Sequence, residues 1–310
     1  MSPNPLVSVL IPCYNVSAYV KKAILSVINQ TYNNLEILIV DDASTDDTLQ
    51  QVRLIKDERI SVFEFKENTQ KVGAVNHVLK AAKGDLITFQ DADDWSEPTR
   101  IEEQVKQFTV EPQPGICFTN YKIIRKKTSV PERIALTDDE LKDEFLRFRN
   151  KKNKNFSATN CPTMMITREV LEATHGYHTY FQGRVAEDIH WIYRILKNFI
   201  GITVDKPLYN YSVREGAFTQ LQISGKNAKY AYSWHLLSKI ISKDMDENID
   251  ILAPENKAEL QTIELLACEE ALAEAIKNNH ELQLAYETST TYKLGKLLLS
   301  PIHLLKTKIK

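Results

Sequence analysis

Gly84-Asp-Leu-Ile-Thr-Phe-Gln-Asp91-Ala-Asp93-Asp94-Trp95 is a short apolar run that ends in three carboxylates within four residues. Leu86–Phe89 has the length and residue types of a buried strand. Carboxylates crowded this closely repel one another unless a cation sits among them. A hard divalent ion takes oxygen ligands, and Mg²⁺ or Mn²⁺ is commonly held by one or two carboxylates while substrate phosphates complete the shell. The stretch therefore points to a strand end that holds a metal and a phosphorylated ligand. Its plainer reading is an acidic turn leading into a helix at Pro98, where acids near the N-terminus suit the helix dipole.

Toward the N-terminus, strand-like runs alternate with helical patterns: Leu6–Ile11, Ser17–Gln30, Leu35–Val40, Thr45–Lys56, Ile60–Phe65 and Val72–Ala82. This alternation predicts an α/β fold with a mainly parallel central sheet flanked by helices. Ser17 is the expected N-cap of the first helix, and Val20, Ala23, Ile24, Val27 and Ile28 form its apolar stripe. Asp46 and Asp47 fall in the first turn of the second helix, where the dipole favours them. Gly84 is expected near the C′ position of the third.

Toward the C-terminus the pattern loosens. Gly115–Thr119 and Thr163–Ile166 are apolar, and Thr137–Lys154 reads as an exposed helix whose basic end (Arg147, Arg149, Lys151, Lys152, Lys154) is a solvated face more readily than an anion-binding patch. Short helices follow at 167–176, ended by Gly176, and at Val185–Asn198. Beyond Gly225 the chain turns helical, with Leu260, Ile263, Ala267, Ala271 and Leu272 on one stripe. The expected division is a main domain at 1–222 and a helical C-terminal region at 223–310.

At 310 residues and 43% apolar composition the chain can bury a full core. A net charge of −2 gives no bulk field for nucleic acid, so no nucleic-acid partner is expected. The four cysteines are scattered without a CxxC, which suits reduced intracellular thiols. Without a leader-like start or a spanning run, the expected location is cytoplasmic. Residues 290–310 carry five lysines, no acid and many leucines. They suit peripheral contact with the inner face of the cytoplasmic membrane, and equally suit packing on the helical region.

Ligands of open parallel sheets bind at the carboxyl ends of the strands. The first strand ends in Pro12-Cys13-Tyr14-Asn15, the second in Val40-Asp41-Asp42-Ala43-Ser44, and the fourth in the acidic cluster; together they describe one polar crevice. Neither GxGxxG nor a Walker sequence is present, which argues against dinucleotide binding and P-loop chemistry. Tyr14 can stack on a base or serve as a half-buried packing ring, and a carboxylate after strand two can accept from a base N–H.

The runs Val7–Asn15, Ile28-Asn-Gln-Thr-Tyr32, Ile39–Thr45 and Phe89–Asp94 are together similar to the opening motifs of family 2 glycosyltransferases, over about residues 6–110 and more weakly to about 215. The resemblance implies the GT-A fold and an inverting transfer from a nucleotide-diphospho-sugar donor, expected to be a UDP-sugar, with Mg²⁺ or Mn²⁺ as cofactor. By motif, Pro12, Tyr14 and Asn15 would line the base pocket and Asp42 would recognise the base, with Asp41 in support. Lys71 and Asn76, in Lys71-Val-Gly-Ala-Val-Asn76, would reach the nucleotide. Gln70 stands where the family usually has Gly, which puts that loop's path in question. Asp91 would contact the ribose or the metal shell beside Ala92, and Asp93 would ligate the metal directly. Glu187-Asp188 resembles the family's Glu-Asp motif, with Asp188 as general base and Glu187 orienting the acceptor; otherwise the pair simply satisfies a helix dipole. Trp191 and Tyr193 are expected in the core. Arg214 would clamp the diphosphate.

No Gln-x-x-Arg-Trp motif accompanies these, so one hexosyl or N-acetylhexosaminyl unit per encounter is implied, to a glycan or lipid-linked acceptor in surface polysaccharide or lipid-linked oligosaccharide synthesis. The competing expectation is a catalytically silent nucleotide-sugar-binding or scaffold relative, against which the joint presence of Asp93 and Asp188 argues. A nucleotidyltransferase would want a glycine-rich, basic first loop, which Pro12–Asn15 lacks.

Overall fold

The computed structural model describes residues 2–125, 128–132, 138–149, 160–213 and 228–288. Strands β1 (Val7–Cys13), β2 (Leu35–Asp41), β3 (Ile60–Glu64) and β4 (Leu86–Phe89) alternate with helices α1 (Val20–Ile28), α2 (Thr48–Leu54) and α3 (Gln70–Ala81). They pair in parallel in the order β3-β2-β1-β4. A short β5 (Trp95–Ser96), α4 (Arg100–Gln107), β6 (Ile116–Arg125), β7 (Thr128–Glu132) and α5 (Asp138–Arg149) follow. Then come β8 (Met165–Thr167), α6 (Arg168–Thr174), α7 (Glu187–Asn198), β9 (Gly201–Ser212), α8 (Ala228–Glu247) and α9 (Lys257–Thr288). The sheet continues from β4 through β8, β6 and β9 to β5, with β7 paired to β6. β8 runs antiparallel to both β4 and β6, and so joins the parallel half to a second half in which β9 lies parallel to β6.

Side chains alternate along β1 between two cores. Val7, Val9 and Ile11 face α1, α2 and α4, while Leu10 faces α3 and the later helices. Burial on both faces explains why these strands read as nearly unbroken apolar runs. Leu236, Leu237, Ile240 and Ile241 of α8 and Ile263 and Ala267 of α9 join the same core as α5 and α7. Trp191 is fully buried in it, edge-on to Phe89 and Tyr177, with Nε1 donating to Thr174 Oγ1 at 2.7 Å. Tyr193 is buried as well. Among the described residues no helix is long and apolar enough to cross a membrane; residues 290–310 lie outside them.

Five local expectations change. Asp46 and Asp47 precede α2 rather than lie in its first turn, which holds no acid, and Asp46 Oδ1 accepts from Thr48 N. Ser17 is not the N-cap of α1, which starts at Val20; its N–H donates to Asp46 Oδ2 instead, lacing two loops. Gly84 is not a helix C′ residue, since α3 ends at Ala81 and Ala82 is extended. A Cβ at Gly84 would come within 2.6 Å of Ser8 N and Leu86 O, so glycine is required there for close approach. The charged helix α5 is not wholly solvated, because Leu141 and Phe145 are buried; the side chains of its basic end beyond Arg147 lie outside the described residues. Leu272 is exposed rather than inward, while Ala271 is buried.

Candidate active site

The carboxyl ends of β1 and β2 are laced to each other. Asn15 N donates to Ser44 Oγ at 3.0 Å, Thr45 N donates to Asn15 Oδ1 at 2.8 Å, and Asp42 N donates to Cys13 O at 2.9 Å. Asn15 and Ala43 both carry positive φ, 52° and 60°, a conformation that side-chain-bearing residues adopt at a cost and that clusters at functional sites. Pro12 is half-buried beside Tyr14, which is 49% exposed and presents an open ring at this end of the sheet.

Asp41 and Asp42 are both buried. Asp41 accepts from Ser44 N through Oδ2, while its Oδ1 is buried without a hydrogen-bond partner. Asp42 Oδ1 accepts from Thr69 N at 2.7 Å and from Thr69 Oγ1 at 2.9 Å, fixing the start of α3 against β2. Gln70 follows at φ 60°, so the loop keeps the left-handed turn that glycine would take without strain.

That turn aims Lys71 into the crevice, with its Nζ 3.5 Å from Glu187 Oε1. Desolvation there works against the ammonium, yet Asp91, Glu187 and Asp188 hold it well above the ordinary lysine value. The same desolvation raises the Asp91 carboxyl; Asp93 and Asp188 add repulsion and Lys71 opposes them. Glu187 is buried and pushed up to about 7 by burial, with Lys71 pulling the other way and Asp188 adding to the rise. Glu187 opens α7, and the residue before it, Ala186, sits at φ 77°. The sheet thus brings Lys71, Asp91, Asp93, Glu187 and Asp188 into one electrostatic unit from three separate segments.

The three adjacent acids divide their work. Asp94 is buried and accepts from Tyr209 Oη at 2.9 Å and from Ser212 N at 2.7 Å, which pins the end of β9 to this loop. Burial and repulsion from Asp91 and Asp93 hold its carboxyl well above the usual range. Asp91 and Asp93 are only partly buried, and Ala92 between them is buried. Among the described residues no group of three or more histidines, cysteines or acids has metal-holding geometry. Two oxygen donors nonetheless fit Mg²⁺ or Mn²⁺, whose remaining positions go to phosphate and water. The repulsion that raises Asp91 is also what a cation would relieve.

Beneath this loop lies a residue that motif reading did not find. Arg100 is 1% exposed, and its guanidinium donates to Phe89 O, Ser96 Oγ, Thr88 Oγ1, Pro162 O and Gln104 Oε1. No carboxylate touches it, and burial lowers it to about 10. It knits β4, β5 and the 161–163 turn together at the root of the acidic loop. Nothing in the sequence marks Arg100 apart from a cation following Pro98.

Asn76 gives both ends of its amide to the backbone of Tyr177, donating to its O at 2.7 Å and accepting from its N at 2.9 Å. It therefore joins α3 to the segment that precedes α7. His190 is buried against the rings of Phe181 and His178. Arg214 lies outside the described residues.

Residues 8–174 match the family described as glycosyl transferase family 2. TuaG of Bacillus subtilis, whose name assigns it to teichuronic acid biosynthesis, is 35% identical over 219 residues, 67% of this chain and 79% of that one. The Escherichia coli UDP-Glc:alpha-D-GlcNAc-diphosphoundecaprenol beta-1,3-glucosyltransferase WfaP is 39% identical over 118 residues, 38% of this chain and 47% of that one. This chain spans between 32% and 79% of the length of such curated relatives. Among solved structures, S. aureus TarS 1-349 in complex with UDP-GlcNAc superposes with a TM-score of 0.60 at 16% identity, covering 91% of each chain, a likeness of fold. The family match covers more than half of the chain, the mixed sheet has the GT-A arrangement, and the acids stand at its strand ends: the chain belongs to glycosyl transferase family 2.

Proposed function

We propose that the protein is an inverting, non-processive glycosyltransferase that moves one hexosyl or N-acetylhexosaminyl unit from a UDP-sugar to a hydroxyl of a glycan or lipid-linked acceptor in cell-envelope polysaccharide synthesis. The observation that carries this reading is the convergence of Lys71, Asp91, Glu187 and Asp188 in one crevice beside an exposed Tyr14. Pro12 and Tyr14 take the base by stacking. Asp42 reads it through Oδ2, the oxygen that Thr69 leaves free, and Asp41 supports that loop from behind. Asn15 and Asn76 are positioning residues, since their amides are given to Thr45 and Tyr177. Lys71 meets the diphosphate, and the clamp on it is assigned to Arg214, which lies outside the described residues.

Asp91 and Asp93 would hold Mn²⁺ or Mg²⁺, which when bound supplies positive charge for the departing diphosphate. Asp188 takes the proton of the attacking hydroxyl from the face opposite the leaving group. Glu187 accepts a hydrogen bond from the acceptor and fixes its approach, and exchange of Lys71 between Glu187 and the diphosphate couples donor arrival to the freeing of this carboxylate. The transfer machinery is assigned to residues 1–222, and among the described residues helices α8 and α9 pack against it through Leu236, Leu237, Ile240, Ile241, Ile263 and Ala267.

Calorimetric titration of UDP, GDP, CDP and ADP, each with and without Mn²⁺, tests the donor half on the wild type and on Asp93→Ala. The expected result is Mn²⁺-dependent binding of UDP that the substitution abolishes. Binding of no nucleotide diphosphate overturns the reading, and unchanged binding in Asp93→Ala overturns the assignment of the metal.

A further inference from the structure

Residues 177–186, which lead into Glu187 and Asp188, are held from two sides. On the donor side Asn76 clasps Tyr177, Gln182 Nε2 donates to Thr69 O, and a Cβ on Gly183 would meet Gln70 Oε1 at 2.8 Å. On the other side stand the C-terminal helices. Glu264 of α9 accepts through a single oxygen from Tyr180 Oη at 2.5 Å and from Arg184 at 3.0 Å. Arg184 also donates to Tyr232 Oη of α8 at 3.2 Å, and its guanidinium lies 4.6 Å from the centre of the Tyr180 ring.

Arg184 is two residues from Ala186, whose φ of 77° an L-residue keeps only where the surroundings over-determine it. The first helical residue after that strained position is Glu187. The clasp on Arg184 and Tyr180 thus lies two and six residues before this strained position.

We infer that the C-terminal helices serve as a positioning element for the Glu187–Asp188 pair, with Arg184 and Glu264 as the positioning residues. The inference rests on the sugar-transfer reading for its effect on rate, but its structural part stands apart from it. Both residues lie beyond the 8–174 stretch that the family match covers. A half-exposed ion pair contributes little to global stability. Its consequence here is orientation, where a displacement of about 1 Å costs a reaction up to ~100-fold.

The test uses the full chain with Glu264→Ala and the conservative Glu264→Gln. Deuterium uptake by amides 184–190 is measured without substrate, followed by kcat and KM for UDP release from a panel of UDP-sugars with water as the acceptor of the glycosyl unit, and by the Kd for UDP. In Glu264→Ala, uptake at 184–190 rises while β1 and β2 amides keep their protection, and kcat falls about tenfold with the UDP Kd changed less than about twofold. Glu264→Gln falls between the two. Unchanged uptake at 184–190, a rise spread over the whole chain, or raised local uptake with wild-type kcat each overturns the inference. Should the wild type release UDP from no donor, the transfer reading fails by itself, and the exchange measurement alone decides the positioning.

Discussion

Replacing Asp93 and Asp94 separately by Ala should give opposite signatures, although the two residues are adjacent and chemically identical. Asp94→Ala strands Tyr209 Oη, which is fully buried, and Ser212 N, each now bonded at 2.9 and 2.7 Å. An unsatisfied buried donor costs about 1–3 kcal/mol, and Ser212 N is only half-buried, so the gross loss is roughly 2–4 kcal/mol. Part of this is offset, because the substitution also removes a carboxylate that burial and two neighbouring acids disfavour. A net destabilisation of about 2 kcal/mol remains. In a chain of this size that lowers Tm by roughly 3 °C. Asp93→Ala removes a partly exposed side chain and should move Tm by less than about 1 °C. Its effect falls on Mn²⁺-dependent UDP affinity, which drops at least about tenfold. Differential scanning fluorimetry and calorimetric titration on the two variants separate these quantities. Equal Tm losses, or an Asp94→Ala protein as stable as wild type, would refute the division of labour argued for this loop.

Three further outcomes follow from the same geometry. Glu187 titrates at about 7 in the folded protein against 4.5 ordinarily, so the folded state binds this proton more tightly than the unfolded chain. Its stabilising contribution is complete below the unfolded value and is lost as pH rises to about 7; a shift of this size corresponds to about 3 kcal/mol. Glu187→Gln should therefore flatten the decline of stability between pH 5 and 7.5 in urea unfolding, and an undiminished slope in the variant would contradict the assignment. Gln70→Gly relieves a left-handed residue and should add up to about 1 kcal/mol, whereas Gln70→Val at the same φ should destabilise; thermal melts that rank them the other way would count against the strain. Tyr14→Ala should leave Tm unchanged while weakening UDP by about 1–3 kcal/mol, the worth of one base stacked on an aromatic ring, and an unaltered Kd would remove Tyr14 from the base pocket.

Much of the molecule was legible because its determinants are local. Strands buried on both faces must be apolar throughout, so β1, β2 and β4 stand out as runs, and the polar residues ending them mark the strand ends where a parallel sheet collects its ligand. What escaped was set by contacts distant in sequence. Gly84 looks like a helix terminator until Ser8 is found against its Cα. Ser17 looks like a cap until Asp46 claims its N–H. Arg100 defies the expectation that a charge stays in water, because five neutral acceptors surround it, four from β4, β5 and the 161–163 turn and one, Gln104, from its own helix α4. Asp91, Asp93 and Asp94 are equivalent in the chain, and only Tyr209 and Ser212, arriving on β9 from more than a hundred residues away, single out the third as an anchor. Residue type and local order thus reveal which chemistry a strand end can support. Which of several like residues performs it depends on which of them the remainder of the fold buries. The partly exposed acids, Asp91, Asp93 and Asp188, are the ones to which metal and proton transfer are assigned.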